Sequence, residues 1–115
     1  MRTKRLLGLV ALFLLIVLPA WGQEEIRIDA PEFKIVERLL DSVVVSWKVD
    51  IRNFEDHPIV AWVKISFFDA EGFKLDQDVT KATIKPYGIT TVSDTTVMRA
   101  SIFRRISRAE VSLDF

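Results

Sequence analysis

The chain has 115 residues with 16 basic and 16 acidic side chains, half of its residues are apolar, and it contains no cysteine. Without cysteine, neither a disulfide nor lipid attachment at a cysteine is available within this sequence. The balanced charge gives no reason to expect nucleic acid or anionic lipid as a partner, since both favour a strongly basic surface.

The first predicted element is a secretory signal peptide over residues 1–22. Three cationic residues precede an apolar run over residues 6–18, and small residues follow at Ala20 and Gly22, so we predict cleavage after Gly22. An uncleaved membrane anchor is the alternative. It is less favoured because the apolar stretch 6–21 contains Gly8 and Pro19 and is shorter than the roughly 20 residues that span a bilayer. The predicted product, residues 23–115, is exported to the periplasm or beyond, with 13 basic and 16 acidic residues.

Residues 23–115 are predicted to form one domain, because no linker, repeat or low-complexity run divides them. Alternation of apolar and polar residues and the turn signals between the alternating runs predict seven strands. The predicted strands cover residues 33–38, 42–54, 58–69, 73–77, 79–85, 89–97 and 108–115. Seven short strands at this spacing are typical of an antiparallel immunoglobulin-like β-sandwich.

Strand 42–54 and the segment 99–107 carry further predictions. In strand 42–54, Trp47 shares one parity with Val45 and Val49, which places it in the core. Residues 99–107 do not alternate, and the spacing of Ile102 and Ile106 predicts a helical turn that crosses between the sheets behind a Ser101 cap.

The final strand ends in an aromatic residue, Phe115, as outer-membrane barrel chains also can. Eight spanning strands of about 9–11 residues need more than the 93 residues that follow the predicted cleavage position. We therefore predict that Phe115 is a core residue of the sandwich.

Three segments resemble landmarks of the FxLYD-like immunoglobulin-fold modules of exported bacterial proteins. They are VDIRN at 49–53, ISFFDAEG at 65–72 and IKPYG at 84–88, and the resemblance covers roughly residues 43–115. Ile65 stands where the name-giving Phe would be, Phe67 and Phe68 replace Leu and Tyr, and Tyr87 is inserted in the Pro-Gly turn. The resemblance implies the fold and an exported, non-catalytic character, and it supplies no active site.

Four carboxylates fall within ten residues: Asp69, Glu71, Asp76 and Asp78. Carboxylates are the ligands that Ca²⁺ prefers, but this spacing does not match an EF-hand loop. We favour a solvated turn in which Asp69 caps its own turn through an Asx hydrogen bond. No metal site and no cofactor are predicted.

The remaining polar candidates also favour a structural role. His57 is the only histidine, and no Ser/His/Asp or Cys/His set can be assembled around it, so no catalytic residue is predicted and the chain is not expected to be an enzyme. Arg99, Arg104, Arg105 and Arg108 could meet a phosphate or an acidic partner. We favour a solvated connector, or internal pairing with the acidic turns.

Val60, Trp62 and Phe68 share the parity opposite to the core-facing residues of strand 58–69. Outward aromatic residues can anchor a protein partner or stack on a sugar ring. Continuous apolar runs more often indicate burial on both faces, so we expect residues 33–38 to cover this face at least partly.

These observations predict an exported, non-enzymatic module that binds another envelope or secreted protein, through a sheet edge or the face of Val60, Trp62 and Phe68. The alternative is a small carbohydrate- or ligand-binding domain that uses the same aromatic side chains. The two hypotheses differ in whether the aromatics are exposed, coplanar and flanked by polar groups.

Overall fold

The structure, a computed structural model, describes residues 25–115. The predicted signal peptide and its cleavage position after Gly22 lie outside the described residues. The described part contains seven strands and one short helix. They are β1 (Ile26–Ile28), β2 (Glu32–Arg38), β3 (Ser42–Asn53), β4 (Ile59–Phe68), β5 (Lys74–Ile84), β6 (Gly88–Arg99), α1 (Ala100–Phe103) and β7 (Arg108–Asp114).

The strands form two antiparallel sheets. In the first, which we call the β3 sheet, β3 pairs along its whole length with β6 on one side and with β1 and β2 on the other. In the second, the β4 sheet, β4 lies between β5 and β7. The pairing of β3 with β6 and of β4 with β7 corresponds to the B–E and C–F neighbours of an immunoglobulin-like sandwich, which confirms the predicted fold class.

The core lies between the facing sides of the two sheets, as the period-2 pattern predicted. Trp47 is 1% exposed, so its predicted core position is confirmed. The rings of Phe33 and Phe67 join the sheets edge to face, with centroids 5.3 Å apart. The buried apolar residues are Val43, Val45, Trp47, Val49, Ile51, Ala61, Val63, Ile65, Phe67, Ile84, Val92 and Met98.

Two strand predictions were wrong in detail. The predicted strands 73–77 and 79–85 are one continuous strand, β5, because Asp76 and Asp78 stay in register opposite β4. Each of the two carboxylates accepts a hydrogen bond from the backbone N–H of the next residue, as it could in a turn. The pairing with β4 nevertheless keeps the backbone extended. The sequence also missed β1, whose three residues pair with the end of β3.

The helical turn is present, but its cap was predicted wrongly. Helix α1 begins after Arg99, which makes no side-chain capping bond, and Ser101 lies inside the helix. The backbone N–H of Ala100 instead donates to the carbonyl of Asp41, so the β2–β3 connection satisfies it. The segment leads from β6 in one sheet to β7 in the other, as predicted. Residues 25–115 contain no helix long and apolar enough to cross a membrane.

The predicted core position of Phe115 was wrong. Its side chain is 75% exposed. The pairing of β7 with β4 ends where Asp114 lies opposite Trp62, so Phe115 lies beyond the ladder that would hold it over the core. The earlier residues of the same parity, Val111 and Leu113, do pack against the core.

Candidate functional site

The outer face of the β4 sheet carries an apolar patch. Val60 is 53% exposed, Trp62 is 49% exposed and Val79, on the neighbouring strand β5, is 42% exposed. We call these three residues the Trp62 patch. Strand β2, which was expected to cover this face, pairs with β3 in the other sheet, so that expectation was wrong for the Trp62 patch.

Charged side chains of both signs flank Trp62. In the strand register Lys81 lies opposite it on β5 and Asp114 lies opposite it on β7. The Lys81 Nζ atom is 5.7 Å from the centroid of the indole ring, within the range of a cation–π contact. A large aromatic surface with polar groups at its margin is typical of the centre of a protein-binding surface.

Phe68 lies on the same face but does not join the Trp62 patch. It is six residues further along β4, so roughly 20 Å away at ~3.3 Å per residue. Its ring is partly buried under Arg108, whose Cζ atom is 4.5 Å from the ring centroid. The Arg108 Nε atom also donates to Glu110 Oε2 at 2.9 Å, which holds the guanidinium in place. The two aromatics therefore do not form one stacking platform.

The Asp69 carboxylate organises the β4–β5 turn, as predicted. Its Oδ1 atom accepts hydrogen bonds from the backbone N–H groups of Glu71 at 3.0 Å and Phe73 at 2.9 Å, and Arg105 Nη2 lies 3.3 Å from its Oδ2. The Phe73 hydrogen bond lowers the pKa of this buried carboxyl, aided by the Glu71 and Arg105 contacts and opposed by desolvation. The favoured internal pairing of the arginines with the acidic turns thus holds for Arg105.

Asp78, on β5, contacts a core side chain and takes no part in the Asp69 turn. Asp78 Oδ2 accepts a hydrogen bond of 2.8 Å from Trp47 Nε1, a contact that the sequence analysis missed. A buried indole N–H needs an acceptor, and that requirement was the available signal. In residues 25–115 no group of three or more His, Asp or Glu side chains is placed to hold a metal ion.

The connection between β3 and β4 is built around Asn53. This side chain is 1% exposed; its Oδ1 accepts from the backbone N–H of Glu55 at 2.8 Å, and its Nδ2 donates to the carbonyl of His57 at 3.0 Å. The His57 Nε2 atom is 2.9 Å from Glu55 Oε1, and Nδ1 is 3.2 Å from Asp56 Oδ1. Within the described residues His57 therefore contacts carboxylates rather than a hydroxyl nucleophile.

A cavity of about 580 Å³ opens beside this connection, between β1 and β7. We call it the β1–β7 pocket. Its lining is mostly apolar. The charged or titratable groups in the lining are Glu25, which precedes β1, and Glu55 and His57 from the β3–β4 connection. The lining residues are Glu25, Ile26, Ile28, Glu55, His57, Ile59, Leu113 and Phe115.

Comparison with known proteins supports the fold and no closer relationship. No protein family and no curated protein matches the chain. Part of a β-glucuronidase of glycoside hydrolase family 2 superposes on 73% of the chain with a TM-score of 0.55 and 9% identity, and the chain covers 11% of that protein. A DUF1425 family member from Shewanella sp. PV-4 superposes on 78% of the chain, with 77% of its own length covered, a TM-score of 0.50 and 9% identity.

Proposed function

We propose that the chain is an exported, non-enzymatic β-sandwich module that binds another envelope or secreted protein through the Trp62 patch. The observation that carries the proposal is the half-exposed Trp62 beside two exposed valines on the outer face of the β4 sheet. Tryptophan is enriched among the residues that dominate binding energy, because it buries a large area at a small cost in conformational entropy.

The rigid position of the Trp62 patch supports this role. Trp62 projects from β4, whose neighbouring residues Ala61 and Val63 are 2% and 0% exposed in the core. Both flanking strands pair with β4 at this position. A partner would therefore meet a pre-organised surface, which reduces the entropy lost on binding.

Several observations support a module that is exported and not an enzyme. The N-terminal sequence has the pattern of a signal peptide, and the FxLYD-like resemblance implies the same destination. The contacts of His57 with Glu55 and Asp56 do not activate a nucleophile. The likeness to the DUF1425 member, at 9% identity, concerns the fold alone and agrees with a small β domain.

Carbohydrate binding is the less well supported alternative. Arg108 covers the ring of Phe68, and the distance along β4 leaves Trp62 as a single stacking surface. The likeness to a domain of a β-glucuronidase is at 9% identity, which concerns the fold and not the sugar that the enzyme acts on.

The test compares the wild type with Trp62→Ala in binding to partners captured from the organism's own envelope. We expect the substitution to weaken binding by about 30-fold or more, the equivalent of a loss of ~2 kcal/mol at a central tryptophan. Val97→Ala is the control, because Val97 is 58% exposed on the other sheet and its truncation should change partner binding little. Unchanged partner binding by Trp62→Ala, or Trp62-dependent binding to a glycan array instead, would refute the proposal.

Export is tested separately by sequencing the N-terminus of the protein recovered from the envelope or the medium. We expect it to begin at Gln23. Recovery of the chain with residues 1–22 attached would contradict cleavage, and recovery from the cytoplasm alone would contradict export.

A further inference from the structure

We infer that the β1–β7 pocket is a second binding site, which takes an apolar side chain next to a positive charge from an extended polypeptide lying along β7. The pocket is separate from the Trp62 patch, since it opens between the sheets whereas the patch lies on the outer face. The inference rests on the proposed function only in taking the partner to be a polypeptide.

The size and lining of the pocket suit an apolar group. Its volume of about 580 Å³ lies within the range of ~300–1,000 Å³ that is typical of ligand sites. Ile26 and Ile28 from β1 face Ile59 from β4 and Leu113 from β7, and all four are only partly buried while packing against the core. The two sheets therefore leave apolar side chains incompletely covered at this place.

The charged residues that line the pocket favour a cationic ligand group. Glu25 and Glu55 both line the pocket, and no lysine or arginine does. The Glu55 position is fixed by the hydrogen bond from its backbone N–H to the buried Asn53 side chain. Two carboxylates outnumber the single histidine in the lining, so its net charge is negative; a cationic group beside the apolar one is favoured and an anionic group is opposed.

The strand arrangement indicates an extended ligand. One edge of β7 pairs with β4 from Arg108 to Asp114, and within residues 25–115 no strand pairs with its other edge. An added strand would use the free N–H and C=O groups of that edge, and its alternate side chains would point inward. Beside Leu113 such a side chain would enter the pocket, while its neighbours along the strand could reach the carboxylates.

The test uses two synthetic blocked peptides with alternating valine and threonine around a central leucine, one flanked by lysines and the other by glutamates. Isoleucine and leucine methyl resonances of the protein recovered after export are followed by NMR during titration. We expect the lysine peptide to shift the methyls of Ile26, Ile28, Ile59 and Leu113, together with backbone amides of β7, and the glutamate peptide to leave them unchanged.

Three variants separate this site from the Trp62 patch. Glu55→Gln should weaken the lysine peptide by about tenfold, the equivalent of ~1.4 kcal/mol for one charge-assisted contact. Glu71→Gln, in the β4–β5 turn, is the matched control and should leave its affinity unchanged. Trp62→Ala should also leave this affinity unchanged. A wild-type protein that binds its partner but not the lysine peptide would reject this inference alone and leave the proposed function standing.

Four results would overturn the inference. Three of them are equal binding of the two peptides, shifts confined to the edges of β5 or β6, and no methyl shift at millimolar lysine peptide. Contacts between these methyls and residues that precede Glu25, seen without any peptide, would also overturn it, because the chain itself would then fill the pocket.

Discussion

The contact between Trp47 and Asp78 makes a quantitative prediction about stability. Trp47→Ala empties a site that is 1% exposed at the centre of the core, so it should lower the free energy of unfolding by about 3–5 kcal/mol. Trp47→Phe keeps an aromatic ring but removes the N–H that donates to Asp78 Oδ2 at 2.8 Å. Asp78 is partly exposed and water can replace the lost donor, so this change should cost about 1–2 kcal/mol.

A double-mutant cycle isolates the hydrogen bond from the packing. Urea unfolding of the wild type, Trp47→Phe, Asp78→Ala and the double variant, followed by circular dichroism, should give a coupling energy of about 1 kcal/mol. Trp62→Ala is the control for losing a tryptophan outside the core and should cost less than Trp47→Ala. A coupling energy near zero would refute the hydrogen bond. Equal decreases in the free energy of unfolding for Trp47→Ala and Trp62→Ala, with unchanged m-values, would refute the exposed position of Trp62 on the outer face.

Three further predictions concern the β4–β5 turn. Because folding lowers the pKa of Asp69, its ionised form stabilises the fold above the unfolded pKa of about 4, and this contribution disappears as the pH falls through the folded value. Asp69→Asn should therefore be less stable than the wild type at pH 7, and urea midpoints should converge in acid; a constant difference would contradict this. Gly72 has φ +91°, so Gly72→Ala should cost about 1 kcal/mol despite open space around it, whereas Gly88→Ala should not, as urea midpoints will show. Melting temperatures in chelator and in about 1 mM Ca²⁺ should coincide, and a rise of several degrees that Asp76→Ala abolishes would disprove this.

The sequence was most informative where one face of a strand is buried. The alternation around Trp47 predicted β3 and its core face correctly because a shift of one residue would expose every apolar side chain. The Asx bond of Asp69 was also predictable, since its donors are only two and four residues away along the chain.

The errors arose where distant contacts decide the outcome. Asp76 and Asp78 suggested a turn, and pairing with β4 kept them extended. Phe115 continued the apolar parity of its strand, but it lies beyond the last ladder pair. The β1–β7 pocket could not be predicted at all, because it depends on where a three-residue strand meets the edge of the opposite sheet.

Contact between the Trp62 patch and a protein partner can be tested by photocrosslinking. The most direct test introduces a photoreactive amino acid at Val79 in the exporting cell, with the same amino acid at Thr95, exposed on the other sheet, as the control. We expect a discrete protein adduct at position 79 that is absent at position 95. Added wild-type protein should compete with its formation, and the adduct should be lost when Trp62→Ala is combined with the probe. No adduct at position 79, or one that persists with Trp62→Ala, would contradict contact at the Trp62 patch.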